Sequence, residues 1–198
     1  MKAVDEEDVM IEELVAKNRS HRRFQENKPL PLDMLRGFVE LARLAPSAAN
    51  MQPLKYILSN TPEKNNLIFP CLRWAGYLKE WPGPAEGERP VAHIIILGDK
   101  RITENFWCDD GIAAQTIMLA AVEKGLRGCI IASIDRDRLS AALHIPEHFH
   151  IRLNIALGYP NETIVMEEMR EGNVKYWRDE KNVHHVPKRR LSEIILDL

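Results

Sequence analysis

Asn18-Arg19-Ser20-His21-Arg22-Arg23-Phe24 and, one helix later, Ala45-Pro46-Ser47-Ala48-Ala49-Asn50-Met51-Gln52-Pro53 are the two segments on which the reading of this chain turns. Residues 31 to 44 between them have helical periodicity, with Leu35, Phe38, Val39, Leu41 and Ala42 on one apolar face. Pro46 ends that helix, because proline disfavours a helical residue before it and brings no amide proton. The first segment sets three guanidinium groups and a hydroxyl where an amphipathic helix over residues 5 to 17 should stop. Cations suit a helix C-terminus for the dipole alone, but guanidinium groups also bind phosphate through paired hydrogen bonds. The second segment is a small-residue turn with an amide pair, Asn50 and Gln52, that both donates and accepts. A plain helix stop accounts for Pro46 and Ser47, yet gives no reason for the Asn-x-Gln pair. Together the segments suit a ligand with a phosphate at one end and a polar heterocycle at the other.

Outward from these segments, strands and helices alternate. Leu54 to Ser59 reads as a strand, and Thr61-Pro62-Glu63-Lys64 as a helix start with a hydroxyl cap followed by proline. Residues 81 to 90 hold three prolines and two glycines, which forbid regular structure. The apolar run Val91 to Leu97 follows at once and must be buried on both faces. The 81–90 stretch is therefore a loop within one domain and a candidate wall of the active site. The longest helix signal, Ile112 to Lys124, follows Asp109-Asp110-Gly111 and is apolar nearly all round, as in a core or interface helix. Gly128 to Ala132 reads as a buried strand, Arg136 to Leu143 as a helix, and Phe149 to Leu157 as another strand. Glu167 to Lys181 shows no clear pattern.

Composition sets limits rather than an answer. A chain of 198 residues makes one domain with a sizeable core, or half of an obligate dimer. A formal net charge of -2 offers no nucleic-acid surface and no polybasic membrane patch. No apolar run approaches the ~20 residues of a membrane helix, and Met1 to Asp8 is acidic and unlike a signal peptide, so the cytoplasm is the expected compartment. Cys71, Cys108 and Cys129 form an odd set without C-x-x-C spacing, which argues against disulfides or zinc. Pro146 interrupts the His144, His148 and His150 spacing, and no metal site is expected. No G-x-G-x-x-G or P-loop pattern occurs. These features alone support an α+β or α/β class.

The two segments resemble the nitroreductase family of FMN-dependent oxidoreductases. Arg19, Ser20, Arg22 and Phe24 match its R-S-x-R-x-F-like segment; Pro46, Ser47, Asn50, Gln52 and Pro53 match its P-S-x-x-N-x-Q-P segment. The resemblance implies an α+β sandwich, with a central mixed or antiparallel sheet flanked by helices, built as an intertwined homodimer from a single domain spanning residues 1–198. It places Arg19, Ser20, Arg22, Lys188 and Arg190 on the FMN phosphate, with Arg189 pointing away unless the basic run slips by one residue. Pro46, Ser47, Ala48, Asn50 and Gln52 would line the ring and ribityl chain, often from the partner subunit. The looser match at Gly125 to Ile130 implies that Gly128 and Cys129 run under the flavin, although a tight strand entry in the core explains them as well.

The implied activity is NAD(P)H-dependent reduction of nitroaromatics, quinones or similar electron-poor acceptors, in a ping-pong hydride transfer through FMN. No side chain is assigned as catalytic, since flavin chemistry asks the protein for placement and electrostatics. Trp74, Tyr77 and Trp81 are candidates to stack on substrate. Leu54 stands where the family often has an aromatic, which bears on acceptor preference. The alternatives are a non-catalytic FMN-binding, storage or sensor protein, and a specialised relative acting in dehalogenation or consuming reduced flavin. The apolar tail 191–198, with Leu191, Ile194, Ile195 and Leu196, is expected to dock on the partner subunit.

Overall fold

The computed structural model describes residues 11–196, so the part of the expected first helix before Ile11, Val9 included, and the last two residues of the tail lie outside the described residues. In chain order the elements are α1 (Ile11–Lys17), α2 (Leu32–Leu44), β1 (Leu54–Ser59), α3 (Pro62–Ile68), β2 (Ala92–Asp99), α4 (Asp109–Glu123), β3 (Arg127–Ile131), α5 (Arg136–Leu143), β4 (Phe149–Gly158), β5 (Ile164–Glu168), β6 (Trp177–Arg178) and β7 (His184–Lys188). The central sheet runs β1-β2-β4-β3 and is antiparallel at every pairing.

β2 is buried along its whole length, because both faces of the sheet are covered. Ala92, Ile94 and Ile96 pack on Leu35 and Phe38 of α2 and Ile117 and Met118 of α4. Ile95 and Leu97 point the other way, onto Ile68 of α3 and Leu139 of α5. The period-two alternation of a strand thus feeds two separate core layers. Ile94, Ile95 and Ile96 are fully buried, and truncating one to alanine should cost about 2–5 kcal/mol. The result is an α+β sandwich of the expected kind, and the helix and strand positions follow the sequence periodicity closely.

Two boundaries and one region depart most from expectation. β2 runs on through Gly98 and Asp99. Gly98 admits the Phe106 ring, which occupies the place where a Cβ would stand. α4 begins at Asp109 rather than Ile112; its two leading carboxylates complement the helix N-terminus, and the glycine after them is tolerated there. The polar stretch after Glu167 supplies much of a second, three-stranded sheet, β5-β7-β6, with β5 parallel to β7. Its strands are short and half-exposed, so they carry no apolar alternation to read.

Candidate functional site

The arginine segment lies extended across the end of the central sheet. His21 N–H donates to the Gly128 carbonyl of β3 at 2.9 Å, and Phe24 bridges to Pro160 just beyond β4. Phe24 is fully buried, its ring lodged against Gly158, where a Cβ would meet it at 3.0 Å. The buried side chain of Glu162 anchors the backbone between these points. It accepts the amide protons of Arg22 and, at 3.2 Å, Arg23, and pairs with Arg178 at 3.0 Å. Arg23 and Arg178 are thereby turned inward, over the Trp81 ring. Arg23 also pairs with Glu88 at 3.2 Å.

Arg19 and Arg22 face a cleft of about 270 Å³, lined also by Ser20, Tyr176, His184 and Lys188. The second sheet forms its far wall. Arg22 lies over Tyr176, 4.9 Å from the ring centre, and Nη1 donates to the Ser20 carbonyl at 3.1 Å. Nη1 also sits 3.3 Å from His184 Nε2. A guanidinium only donates, so the imidazole accepts there and is neutral. Burial and then the Arg22 charge hold the His184 pKa down at about 4. Arg19 donates to the Val15 carbonyl at 2.7 Å, so the helix-end account of this cation is met in part. Even so, Arg19, Arg22 and Lys188 form no ion pair with a carboxylate among the described residues. Three cations converge on one cleft without a compensating anion, which suits a phosphate.

The second segment closes the end of α2 and forms a strained turn. Ala49, Asn50 and Gln52 all have left-handed φ angles, of 49°, 54° and 50°. Such angles in residues other than glycine cost of order 1 kcal/mol or more each and persist only where the surroundings enforce them. Asp109, at the start of α4 and almost wholly buried, does so here. Its carboxylate accepts Ser47 Oγ–H at 2.6 Å and the Ala48 amide at 2.9 Å. Ser47 Oγ in turn accepts the Gln52 amide at 2.9 Å. Beside this turn is a mostly apolar cleft of about 350 Å³, lined by Ala42, Pro46, Ser47, Gln52, Leu54 and Tyr56, among others. Burial, and then Asp109, push the Tyr56 phenol up to about 12, so it stays protonated. The two clefts share no lining residue.

The family model for the nitroreductase family matches residues 15–75 and 88–159, which include both segments and the whole central sheet. The chain belongs to the nitroreductase family. It is 26% identical over 174 residues to a Thermus thermophilus protein named NADH dehydrogenase, covering 74% of this chain and 84% of that one. An iodotyrosine deiodinase from Thermotoga neapolitana is 25% identical over 173 residues, covering 77% and 90%. An Exiguobacterium sibiricum structure solved in complex with FMN superposes with a TM-score of 0.64 at 19% identity, covering 82% of this chain and 91% of that one. Solved nitroreductase-family structures thus share the fold.

Within this nitroreductase-family chain the expected residues separate into groups. Arg19, Ser20, Arg22 and Lys188 share the cation-lined cleft, whereas Arg190 turns away to pair with Glu168, and Arg189 pairs with Glu193 at 3.6 Å. Pro46, Ser47 and Gln52 line the second cleft; Ala48 and the exposed Asn50 form its turn. Gly128 and Cys129 are buried and line neither cleft. A Cβ on Gly128 would stand 2.7 Å from the Ala156 carbonyl oxygen, so close packing explains the glycine. Burial raises the Cys129 thiol pKa. Trp74 is a core residue, packed on Gly83 and 5.7 Å from Phe69. Trp81 is spent under two arginines, while Tyr77 is half-exposed against Tyr176. Sequence reading missed Glu162, Tyr176 and His184, and passed over Asp109. All four act through tertiary contacts, and only the acidic pair that opens α4 left a signal. No helix among the described residues is long and apolar enough to cross a membrane.

Proposed function

We propose that the protein is an FMN-dependent oxidoreductase that uses NADH or NADPH to reduce electron-poor acceptors such as nitroaromatics and quinones. The observation that carries this reading is the convergence of Arg19, Arg22 and Lys188, without an anionic partner, on one cleft. In this reading the three cations hold the FMN phosphate, and Ser20 and the neutral His184 complete the rim. Bound FMN would supply hydride acceptance and donation. The protein's own contribution is placement: the Asp109–Ser47 network holds the strained turn so that Asn50 and Gln52 present amides of both kinds to a polar ring.

The two segments line separate clefts of one chain, which supports the reading that a second copy completes the site in a homodimer. Exposed Leu191, Ile194, Ile195 and Leu196, more than half accessible each, are the segment proposed to dock on that copy. The relative named NADH dehydrogenase supports a nicotinamide reductant. A second reading, reductive dehalogenation, is favoured by the iodotyrosine deiodinase relative.

The test compares FMN with riboflavin, which lacks the phosphate. The account expects FMN to bind at least tenfold more tightly, with the difference removed in Arg22→Ala. Equal affinity for the two flavins would overturn the phosphate assignment. Turnover of a halotyrosine in preference to quinones would select the second reading.

A further inference from the structure

The 81–90 loop, expected beside the active site, closes a different cleft. Glu86, Arg89 and Pro90 at its end face Asn60 and Asn66 across a space of about 250 Å³, with Phe69 and His93 in the lining. His93 sits near the start of β2, directly opposite Ser59 of β1, and is wholly buried. Its Nδ1 lies 3.2 Å from Asn154 Nδ2. With the Asn154 amide oriented so that Nδ2 donates, Nδ1 accepts and the ring proton stands on Nε2, and Asn154 Oδ1 is buried without a partner. Nε2 diverges from Asn154 and is buried without a hydrogen-bond partner. A donor left in that state keeps an uncompensated desolvation cost that a ligand acceptor would remove.

The neighbouring polar groups do not supply its acceptor. Asn65 accepts the Ser59 hydroxyl at 2.6 Å and donates to the Val91 carbonyl at 2.8 Å. Glu26 Oε2 is taken by the amides of Gly87 and Arg89, at 2.5 and 3.2 Å. Arg89 lies over the Phe69 ring at 4.7 Å. Its Nε is buried and unpartnered, and no described carboxylate pairs with its guanidinium.

We propose that this cleft binds a small carboxylate, received by the Arg89 guanidinium and by the Nε2–H of His93. The guanidinium fork matches the two carboxylate oxygens, and stacking on Phe69 fixes its plane. Asn60 and Asn66 are placed to meet a hydroxyl or carbonyl on the rest of the molecule. One cation and a neutral imidazole stand here against two lining carboxylates, Glu86 at the rim and Glu26, whose Oε2 is already held by two backbone amides, so the cleft takes at most a monoanion and disfavours a phosphate dianion. The volume admits an acid of a few carbons and excludes a peptide segment.

The experiment titrates acetate and glycolate into 15N-labelled protein and follows the His93 Nε2–H resonance, with sodium chloride as the ionic-strength control. A saturable shift with a Kd of about 1 mM or tighter is expected for at least one acid. Arg89→Gln should weaken it tenfold or more while FMN retention and the rest of the spectrum stay unchanged. Asn66→Asp, which adds a like charge at an exposed position, should weaken it as well. The proposal is overturned if neither acid gives a saturable shift, if chloride reproduces it, or if both variants bind as the wild type does.

Discussion

Asp109, in the first turn of α4, grips Ser47, beyond the end of α2, through a 2.6 Å hydrogen bond from Oγ, and the same carboxylate takes the Ala48 amide at 2.9 Å. The contact joins two elements that already pack side by side and converts a helix stop into a turn with three left-handed residues.

Asp109→Ala removes both bonds and leaves a backbone N–H unsatisfied. A loss of about 2–3 kcal/mol in stability is expected, with FMN retention lost alongside, read by urea titration and by flavin absorbance. Asp109→Asn keeps the shape and should lose less. A variant as stable as the wild type would show that the turn holds itself.

The basic residues near the cation-lined cleft separate by partner. Arg22→Ala and Lys188→Ala should each weaken FMN binding by about tenfold or more, since a charge-assisted contact is worth about 1.5–3 kcal/mol. Arg190→Ala breaks only an exposed pair with Glu168, worth at most about 1 kcal/mol, and should leave FMN affinity nearly unchanged. Flavin titrations of the three variants decide this, and an Arg190→Ala loss equal to that of Lys188→Ala would restore the expected pairing of Lys188 and Arg190 on the phosphate.

Gly128→Ala drives a methyl group to within 2.8 Å of Met118 Sδ and 2.7 Å of a carbonyl oxygen. Overpacking of this kind costs about 1–3 kcal/mol, and the backbone contact pushes toward the upper end. Thermal unfolding measures it. An unchanged midpoint would mean that β3 shifts freely and that the arginine segment bridged to it shifts too.

Acid should destabilise the fold over a defined window. Burial holds His93 and His184 at about 4, against 6.5 for a free histidine. Between those values the unfolded chain binds protons that the folded chain refuses, so stability falls as pH drops from 6.5 to 4. For His93 alone the loss is on the order of 3 kcal/mol. His185 works in the opposite direction: burial lowers its pKa, but contacts with Glu167 and Asp179 outweigh that and raise it. Its contribution is present below 6.5 and fades as pH rises through the raised value. Urea midpoints across this range, compared with His93→Asn, check the sign; a variant with the wild-type slope would contradict the assignment.

Much of the fold is legible because its core elements obey one rule each. β2 is apolar without interruption, α2 is amphipathic, and Thr61-Pro62 signals a helix start that the Thr61 cap confirms with a 3.4 Å bond from Lys64 N–H. The second sheet is not legible, because its strands are short and show no apolar alternation, being joined instead by side-chain pairs such as His185 stacked on Trp177. The cation-lined cleft is half legible. Arg19 and Arg22 announce themselves as a cluster, whereas Glu162 and His184, which orient them, are far away in sequence and ordinary in type. Arg189 and Arg190 illustrate the converse, since a basic run cannot say which of its members finds a surface carboxylate.

Removing residues 191–198 should yield monomer or aggregate and lose FMN at the same time, read by light scattering and the visible spectrum. A stable, yellow, dimeric truncation would sink the docking role of the tail.

The central claim is tested most directly by adding NADPH, then NADH, anaerobically to the FMN-loaded protein and following the visible flavin band. The account predicts bleaching by at least one nucleotide and recovery when a quinone or nitroaromatic is added. A protein that takes up no FMN, or holds FMN that neither nucleotide bleaches, would contradict it.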